Sequence, residues 1–296
     1  MMRAQIRTPA KVNWDLRVLG RRPDGFHELR SWFVAVGWSD ELSVTAREDR
    51  GPSNMTVTGS AATGVPTDSD NLVLRAEAAW RSAFPARARA LPSLRWELTK
   101  SIPHGSGLGG GSGNAAGALF LLEQLALPCG PRTELLEVAR ALGSDVAFFL
   151  EHTGQAECRG GRGEMLLSRA PVPSRWLVLA LPQDAVSTAA VYAALKAGPV
   201  PPAVAVDASA ISALPGPNDL TAAAAVVQPS LITFAYALRE CGPFLMTGSG
   251  SAFFAPCADA AAAERLAKAV APLCRISRAV STLDFPALST SIEATP

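Results

Sequence analysis

Pro103-His104-Gly105-Ser106-Gly107-Leu108-Gly109-Gly110-Gly111-Ser112-Gly113-Asn114 runs without a gap into an apolar helical stretch, Ala115 to Leu127. A loop almost bare of side chains that opens a helix is a place to hold phosphate. Glycines let the backbone adopt φ > 0 and let its N–H groups approach an anion closely. The first N–H groups of a helix have no internal partner, and the helix dipole favours negative charge there. The rival reading is a flexible linker. Leu108 in the middle of the run, and the helix that starts at once, argue against it. The run is not a Walker A loop, which needs Lys-Ser/Thr directly after the last glycine. It also lacks the spaced glycines and the following acidic residue of a dinucleotide fingerprint.

Working outward, Leu94–Thr99 alternates apolar and polar, so the glycine run joins a strand to a helix. Upstream, Val12–Val18, Trp32–Val36 and Glu41–Val44 read as strands, with an Asp24-Gly25 turn between the first two. Residues 71–84 read as a helix capped by Asn71, with Leu72, Ala76, Ala79 and Trp80 on one face. Thr133–Leu142 reads as another, with Thr133 as its cap and Gly143 as its stop. A hairpin is expected over 156–167, a linker over 169–175 and a buried strand over 176–181. Beyond it the pattern predicts helices at 188–196, 218–226, 229–241 and 258–271, and strands at 244–247, 251–255 and 274–280. Residues 197–217 read as a weakly ordered loop and the last ten as a frayed tail. Pattern alone therefore predicts mixed α and β structure in about two domains.

Composition narrows the function classes. The chain has 296 residues, enough for about two domains. Apolar residues make up 48% and charged residues 18%, which excludes a largely disordered chain. A net charge of +1 gives no bulk electrostatic case for binding nucleic acid or an anionic membrane. The five cysteines, at 129, 158, 241, 257 and 274, form no CxxC pair, and the three histidines do not cluster. Reduced thiols are expected, without a disulfide framework or a dedicated metal site. No signal pattern opens the chain and no apolar run reaches membrane-spanning length. The expectation is a soluble cytoplasmic protein, monomeric or weakly dimeric, with a small-molecule partner.

Four separated segments converge with the glycine run. They are Pro9-Ala10-Lys11-Val12-Asn13, Arg21-Arg22-Pro23-Asp24-Gly25-Phe26-His27-Glu28-Leu29, Gly143-Ser144-Asp145-Val146-Ala147-Phe148-Phe149 and Thr247-Gly248-Ser249-Gly250-Ser251. Together they resemble the GHMP kinases, with gaps, from about residue 8 to 280. The first two segments are similar to those of the branch that phosphorylates the 2-hydroxyl of a cytidine diphosphate conjugate in non-mevalonate isoprenoid synthesis. The resemblance implies an α+β, two-domain architecture. Its parts are a ribosomal-protein-S5-domain-2-like, ATP-binding N-terminal domain over 1–170, a ferredoxin-like C-terminal domain over 171–285, and a tail over 286–296. It implies transfer of the γ-phosphoryl group of ATP to an alcohol, with Mg²⁺ carried by the nucleotide.

What the resemblance implies for single residues follows the motifs. Asp145 matches the general base and Lys11 the catalytic lysine. A cation beside a carboxylate favours its proton-accepting form and offsets charge gathering on the transferred group. Without the resemblance, Asp145 reads as a helix cap and Lys11 as an exposed strand-end lysine. Pro103, Gly105, Gly107, Leu108, Gly109, Gly110, Gly111, Ser112 and Asn114 match the nucleotide-holding loop. Asn13, Phe26, His27, Thr188 and Tyr192 match substrate positions, with His27 and Phe26 reading a cytosine ring and Tyr192 stacking on it. Gly248, Ser249 and Gly250 match the closure from the second domain, and no residue matches a metal ligand. The chain departs from the pattern at Trp14, His104, Ser106, Ala147 and Ser251, and Trp14 puts the shape of the substrate pocket in question. Two alternatives stay open: a GHMP kinase acting on homoserine or a mevalonate-type alcohol, and a non-catalytic nucleotide-binding module.

Overall fold

Two long strands open the chain, β1 (Met2–Arg21) and β2 (His27–Ala46), joined through a turn in which Gly25 takes φ 87°. The computed structural model describes residues 2–47, 51–126, 132–200, 208–288 and 290–294. After the hairpin come β3 (Asn54–Thr58), α1 (Leu72–Ala83), α2 (Pro85–Ala88), β4 (Leu94–Thr99) and α3 (Gly110–Leu125). They are followed by α4 (Arg132–Leu142), α5 (Ser144–Glu151) and a second hairpin, β5 (Ala156–Gly160) with β6 (Met165–Ala170). The rest of the chain holds β7 (Trp176–Leu181), α6 (Thr188–Ala194), α7 (Thr221–Val227), α8 (Ser230–Arg239) and β8 (Leu245–Met246). It ends with β9 (Phe253–Cys257), α9 (Ala260–Val270), β10 (Ile276–Ser281) and β11 (Thr290–Ala294).

The strands form two sheets. The first runs β11-β1-β2-β4-β3, and β5 and β6 add to it along β2. The length of β2 allows this: Glu41–Ala46 pairs with β4 while Ser31–Phe33 pairs with β5. The second sheet, β10-β7-β9-β8, is antiparallel throughout. Side-chain alternation stacks the two sheets face to face. Ala10, Val12 and Trp14 of β1, with Trp32, Val34 and Val36 of β2, pack against Leu177, Leu179 and Leu181 of β7 and Phe254 of β9. The opposite face of the first sheet is covered by α1, α3, α4 and α5. The opposite face of the second, through Val178 and Ala180, is covered by α6 to α9. Each fully buried large apolar side chain contributes roughly 1.5–3 kcal/mol, and the inter-sheet core holds Trp14, Trp32 and Phe254 in that state.

One irregularity aims the chemistry. The β1–β2 register shifts between Pro9 and Ala10. Before the shift Ile6 faces the helices, in the core with α3, whereas after it the even-numbered Ala10 and Val12 face the second sheet. Gly37 and Trp38 of β2 are left over at this irregularity, and both strands present opposite faces on its two sides: Leu42 and Val44 face the helices, Val34 and Val36 the second sheet. The odd-numbered Lys11 and Asn13 are thereby turned to the helix side of β1, beside the glycine loop.

Several expectations need correction. The expected strands at 32–36 and 41–44 are one continuous β2. The helix after the glycine run begins at Gly110, five residues before Ala115, because the glycines themselves take helical backbone. Thr133 lies inside α4 and does not cap it. Ser144 and Asp145 lie in the first turn of a helix, α5, whose N-cap is Gly143, so Asp145 opens the helix without capping it. The tail expected over 286–296 contains β11, which pairs with Met2–Ile6 of β1. Trp14 points away from the pocket. Its indole N–H donates to the Ser212 carbonyl at 2.9 Å and its ring lies 5.6 Å from that of Phe254. Among the described residues Cys158, Cys241, Cys257 and Cys274 form no disulfide; Cys129 lies outside them.

His152, at the end of α5, gives the fold a pH dependence. It is buried, stands edge-on to Phe148 at 5.2 Å, and accepts from the Gly154 N–H through Nδ1 at 3.3 Å. Burial, reinforced by Arg159 and Arg169, pulls its pKa from 6.5 down to about 4. The unfolded chain binds this proton below pH 6.5 and the folded chain resists it, so stability falls as pH drops from 6.5 towards 4. Urea unfolding at pH 7.5 and 4.5 should show a smaller drop in His152→Gln than in the wild type, by ~2 kcal/mol. Equal drops would mean His152 is not the titrating group.

Candidate active site

The glycine loop rests on a buried carboxylate. Asp40 of β2 accepts from the Ser101 N–H at 2.7 Å and the Ile102 N–H at 2.8 Å through Oδ1. Its Oδ2 accepts from Lys100 Nζ, and from Asn114 Nδ2 at 3.0 Å. Asn114 also donates to Thr8 Oγ1 at 2.7 Å. The network ties the end of β4, the first turn of α3 and the β1–β2 pair together behind the loop. Burial lowers the Lys100 pKa, and the adjoining Asp40 opposes that shift.

Within the loop the glycines are required by space as well as by φ. Gly107 has φ 78°, and a Cβ there would lie 2.8 Å from the carbonyl oxygens of Thr247 and Gly250. Gly109 has φ 72° and forms the N-cap of α3, where a Cβ would meet Lys11 Cγ and Cε at 3.1 Å. Leu108 between them is buried in the inter-sheet core, and its carbonyl accepts from the Lys11 N–H at 2.9 Å. The leucine nails the loop down and leaves the neighbouring backbone facing outward.

Lys11 and Asp145 meet in front of this loop. Lys11 Nζ lies 3.3 Å from Asp145 Oδ2 and donates to Asn13 Oδ1 at 2.7 Å. The lysine is buried while the Asp145 side chain is 27% exposed, so the carboxylate faces the open cavity. Its place in the first turn of α5 suits a negative charge. Asn13 is held from three sides. Its Nδ2 donates to Ser31 Oγ at 2.8 Å, its Oδ1 accepts from Lys11, and its N–H donates to Thr247 Oγ1 at 2.7 Å.

Two adjoining cavities share this region. The first, of about 390 Å³, is lined by Lys11, Asn13, Asp145, Pro103, Gly105, Gly107, Gly109–Ser112, Gly248 and Ser249 among others. Among the described residues, Asp145 is the one carboxylate in that lining. The second, of about 630 Å³, is lined by Phe26, His27, Tyr192, Thr188 and the start of α5. His27 and Tyr192 are stacked with centroids 5.4 Å apart. Burial, then Arg21, lowers the His27 pKa; burial, then Asp145, raises that of Tyr192. Thr188, at the start of α6, hydrogen-bonds Ser249 across the first cavity at 2.7 Å between hydroxyl oxygens.

Three of the expected residues do not line either cavity. Asn114 points into the Asp40 network, Leu108 into the core, and Gly250 packs on Met246 and Gly107. Conversely, sequence reading passed over Asp40, Lys100, Ser31, Thr247 and Arg162. Lysine occurs only at 11, 100, 196 and 268, and that rarity is the available signal for Lys100; Thr247 opens the segment that holds Gly248–Gly250; Asp40, Ser31 and Arg162 carry no motif, since distant parts of the chain bring them to the site. The departures His104 and Ser106 sit in the loop. His104 lines the first cavity, and Ser106 donates to the Pro103 carbonyl at 2.8 Å.

A glycine loop at a helix start, facing a lysine–carboxylate pair across a cleft between two sheet halves, is the arrangement of a small-molecule kinase. Residues 71–152 match the GHMP kinases N terminal domain and residues 206–274 the GHMP kinases C terminal domain. The chain belongs to the GHMP kinases, which use ATP. It is 38% identical over 295 residues to a 4-diphosphocytidyl-2-C-methyl-D-erythritol kinase of Streptomyces avermitilis, covering 94% of this chain and 96% of that relative. A kinase of the same name from Solibacter usitatus is 41% identical over 64% of this chain and 56% of its own length. Among solved structures, a 4-(cytidine 5'-diphospho)-2C-methyl-D-erythritol kinase superposes with a TM-score of 0.72 at 33% identity, over 94% of this chain and 99% of that one. A homoserine kinase from Cytophaga hutchinsonii superposes with a TM-score of 0.69 at 18% identity, over 98% and 97%, a likeness of fold alone. No helix among the described residues is long and apolar enough to cross a membrane.

Gly109→Ala tests the close packing of loop and lysine. The added methyl combines strained φ with displacement of Lys11, so turnover should fall roughly tenfold or more while the protein stays folded. Steady-state kinetics with a circular dichroism melt would check it; wild-type turnover would mean the contact has no consequence.

Proposed function

We propose that this protein transfers the γ-phosphoryl group of ATP to the 2-hydroxyl of 4-diphosphocytidyl-2-C-methyl-D-erythritol. The observation that carries the reading is the Lys11–Asp145 pair at 3.3 Å, in a cavity that continues into a second, aromatic one. The amides of the glycine loop and of the first turn of α3 hold the triphosphate. The alcohol sits between Asp145 and the γ-phosphorus. Asp145 takes the hydroxyl proton, the alcohol oxygen bonds to the γ-phosphorus, and the bond from the γ-phosphorus to the β,γ-bridging oxygen breaks, releasing ADP. Lys11 neutralises charge as it spreads over the transferred group, and Asn13 holds its ammonium in place.

Mg²⁺ travels with the nucleotide in this reading. Among the described residues no group of three or more His, Cys, Asp or Glu could hold a metal, and the first cavity offers Asp145 as its one carboxylate. A cation held mostly by phosphate oxygens and water fits that donor set, and the Ser112 hydroxyl on the loop would be a protein oxygen available to it. Bound there, it would screen the triphosphate charge. The cytosine stacks on Tyr192. Two stacked contacts need about 7 Å between flanking rings, twice a contact of roughly 3.5 Å. The base therefore takes the face of Tyr192 that His27 covers in this structure, and His27 moves to its edge. Thr188 contacts the substrate, and Gly248, Ser249 and Gly250 close the site. We place the division between the two domains at 170/171, with β11 returning to the first sheet, and the enzyme in the cytoplasm.

A coupled ADP-release assay should show turnover that depends on the cytidyl conjugate, with the phosphomonoester product visible by phosphorus NMR. Equal rates on homoserine would overturn the substrate. Asp145→Asn should keep ATP binding and lose at least ~10²-fold in kcat; near-normal turnover would remove Asp145 from the role of base. Tyr192→Ala should weaken binding of the cytidyl substrate by ~1–3 kcal/mol, the scale of base stacking on an aromatic ring. Unchanged affinity would make Tyr192 a packing residue only.

A further inference from the structure

Arg162 stands at the junction of the two cavities. It belongs to the tight turn between β5 and β6, and this turn is docked firmly on β2. Gly161 N–H donates to Glu28 Oε1 at 3.0 Å, Gly161 O accepts from the Leu29 N–H at 2.7 Å, and Gly163 N–H closes the turn on the Gly160 carbonyl at 2.9 Å. The Arg162 N–H donates to Glu164 Oε2 at 2.6 Å. That carboxylate is thus engaged with backbone, and Arg162 Nε lies 3.9 Å from it, beyond hydrogen-bond distance. The guanidinium carbon instead sits 4.7 Å from the centre of the Phe26 ring. A planar cation stacked on an aromatic keeps its edge donors free for a second partner.

Five residues line both cavities: Leu29, Ser144, Arg162, Thr188 and Tyr192. Arg162 is the one charged side chain among them. The second cavity is also lined by Arg21, Arg140 and Lys196, with no aspartate or glutamate among the described residues. On the proposed function, the substrate's base lies in the second cavity and its reacting alcohol beside Lys11 and Asp145 in the first. The linker between the two ends is a diphosphate, and it must cross the waist where the cavities meet. We propose that Arg162, braced on Phe26, is the residue that recognises this diphosphate bridge, and so selects nucleoside diphosphate conjugates over uncharged nucleosides. Phe26 is then the support that positions the cation, with its ring turned to Arg162.

Since this inference rests on the proposed substrate, the test separates the two. Calorimetric titrations compare CDP with cytidine, on wild type and on Arg162→Gln. The wild type should bind CDP more tightly than cytidine. In Arg162→Gln the CDP affinity should fall roughly ten- to a hundredfold, the range of a charge-assisted hydrogen bond, while cytidine affinity stays within about twofold. Binding of an ATP analogue should be unchanged, and KM for the cytidyl substrate should rise with kcat nearly constant, a split that a merely structural loss would not produce. Arg162→Lys should retain part of the CDP preference, and it carries the same comparison if the glutamine variant does not fold. Equal losses for CDP and cytidine, or no loss for either, would overturn the role of Arg162 and leave the proposed substrate standing. A wild type that binds neither CDP nor cytidine would overturn both.

Discussion

The carboxylate of Asp40 is the constraint on which the site depends. It is buried with four donors on its two oxygens, drawn from Lys100, Asn114 and the backbone at Ser101 and Ile102. A buried charge is tolerated only when it is paired and its remaining lone pairs are satisfied. Removing one partner typically costs ~3–5 kcal/mol, because the other charge is left uncompensated. Here the penalty enforces geometry. The end of β4, the first turn of α3 and the middle of β2 must converge on one point, and the glycine loop between Ile102 and Gly110 is suspended from it. A chain with φ > 0 at Gly105, Gly107 and Gly109 has little rigidity of its own. Its shape comes from Asp40 behind it, Leu108 beneath it and Gly107 wedged against the 247–250 turn.

That turn couples the two halves of the molecule to the chemistry. Thr247 accepts from the Asn13 N–H, Ala252 donates to the Ser106 carbonyl at 3.0 Å, and Asn218 steadies the turn through the Met246 and Gly248 carbonyls. Asn13 in turn holds Lys11. A displacement of the second sheet is therefore felt at Lys11 through one residue. The inter-sheet core opposes such displacement with close-packed tryptophan and phenylalanine, which leave little room for sliding.

The local features of the sequence predicted much of this. The Asn71 cap is present, with its side chain accepting from Val73 N–H. The buried strand at 176–181 has the expected bounds, and the glycine run does join a strand to a helix. These rest on interactions within a few residues, where propensity and capping act. The failures share a cause as well. β11 and β3 carry no strong pattern, and they form because a partner edge is already there. The two pieces expected in β2 merge because Ser39 and Asp40 pair with Pro9 and Thr8 on one side of the irregularity while Val34–Val36 pair with Ala10–Val12 on the other, leaving only Gly37 and Trp38 between them without a β1 partner.

At the site, the sequence by itself determined the chemical inventory: a bare-amide loop at a helix start, a rare lysine flanked by Ala10 and Val12, and an aspartate opening a helix. Those identities are local and survive as motifs. Only the tertiary structure decided which of them face each other. The register shift at Pro9–Ala10 turned Lys11 toward Asp145, 134 residues away in the chain, and sent Trp14 into the core. Asn114 was drawn behind the loop, and Arg162 was set at the waist between the cavities. Side-chain direction along a strand has a period of two, so an interruption of the pairing, fixed by burial far from the motif, decides whether a group meets solvent, core or substrate.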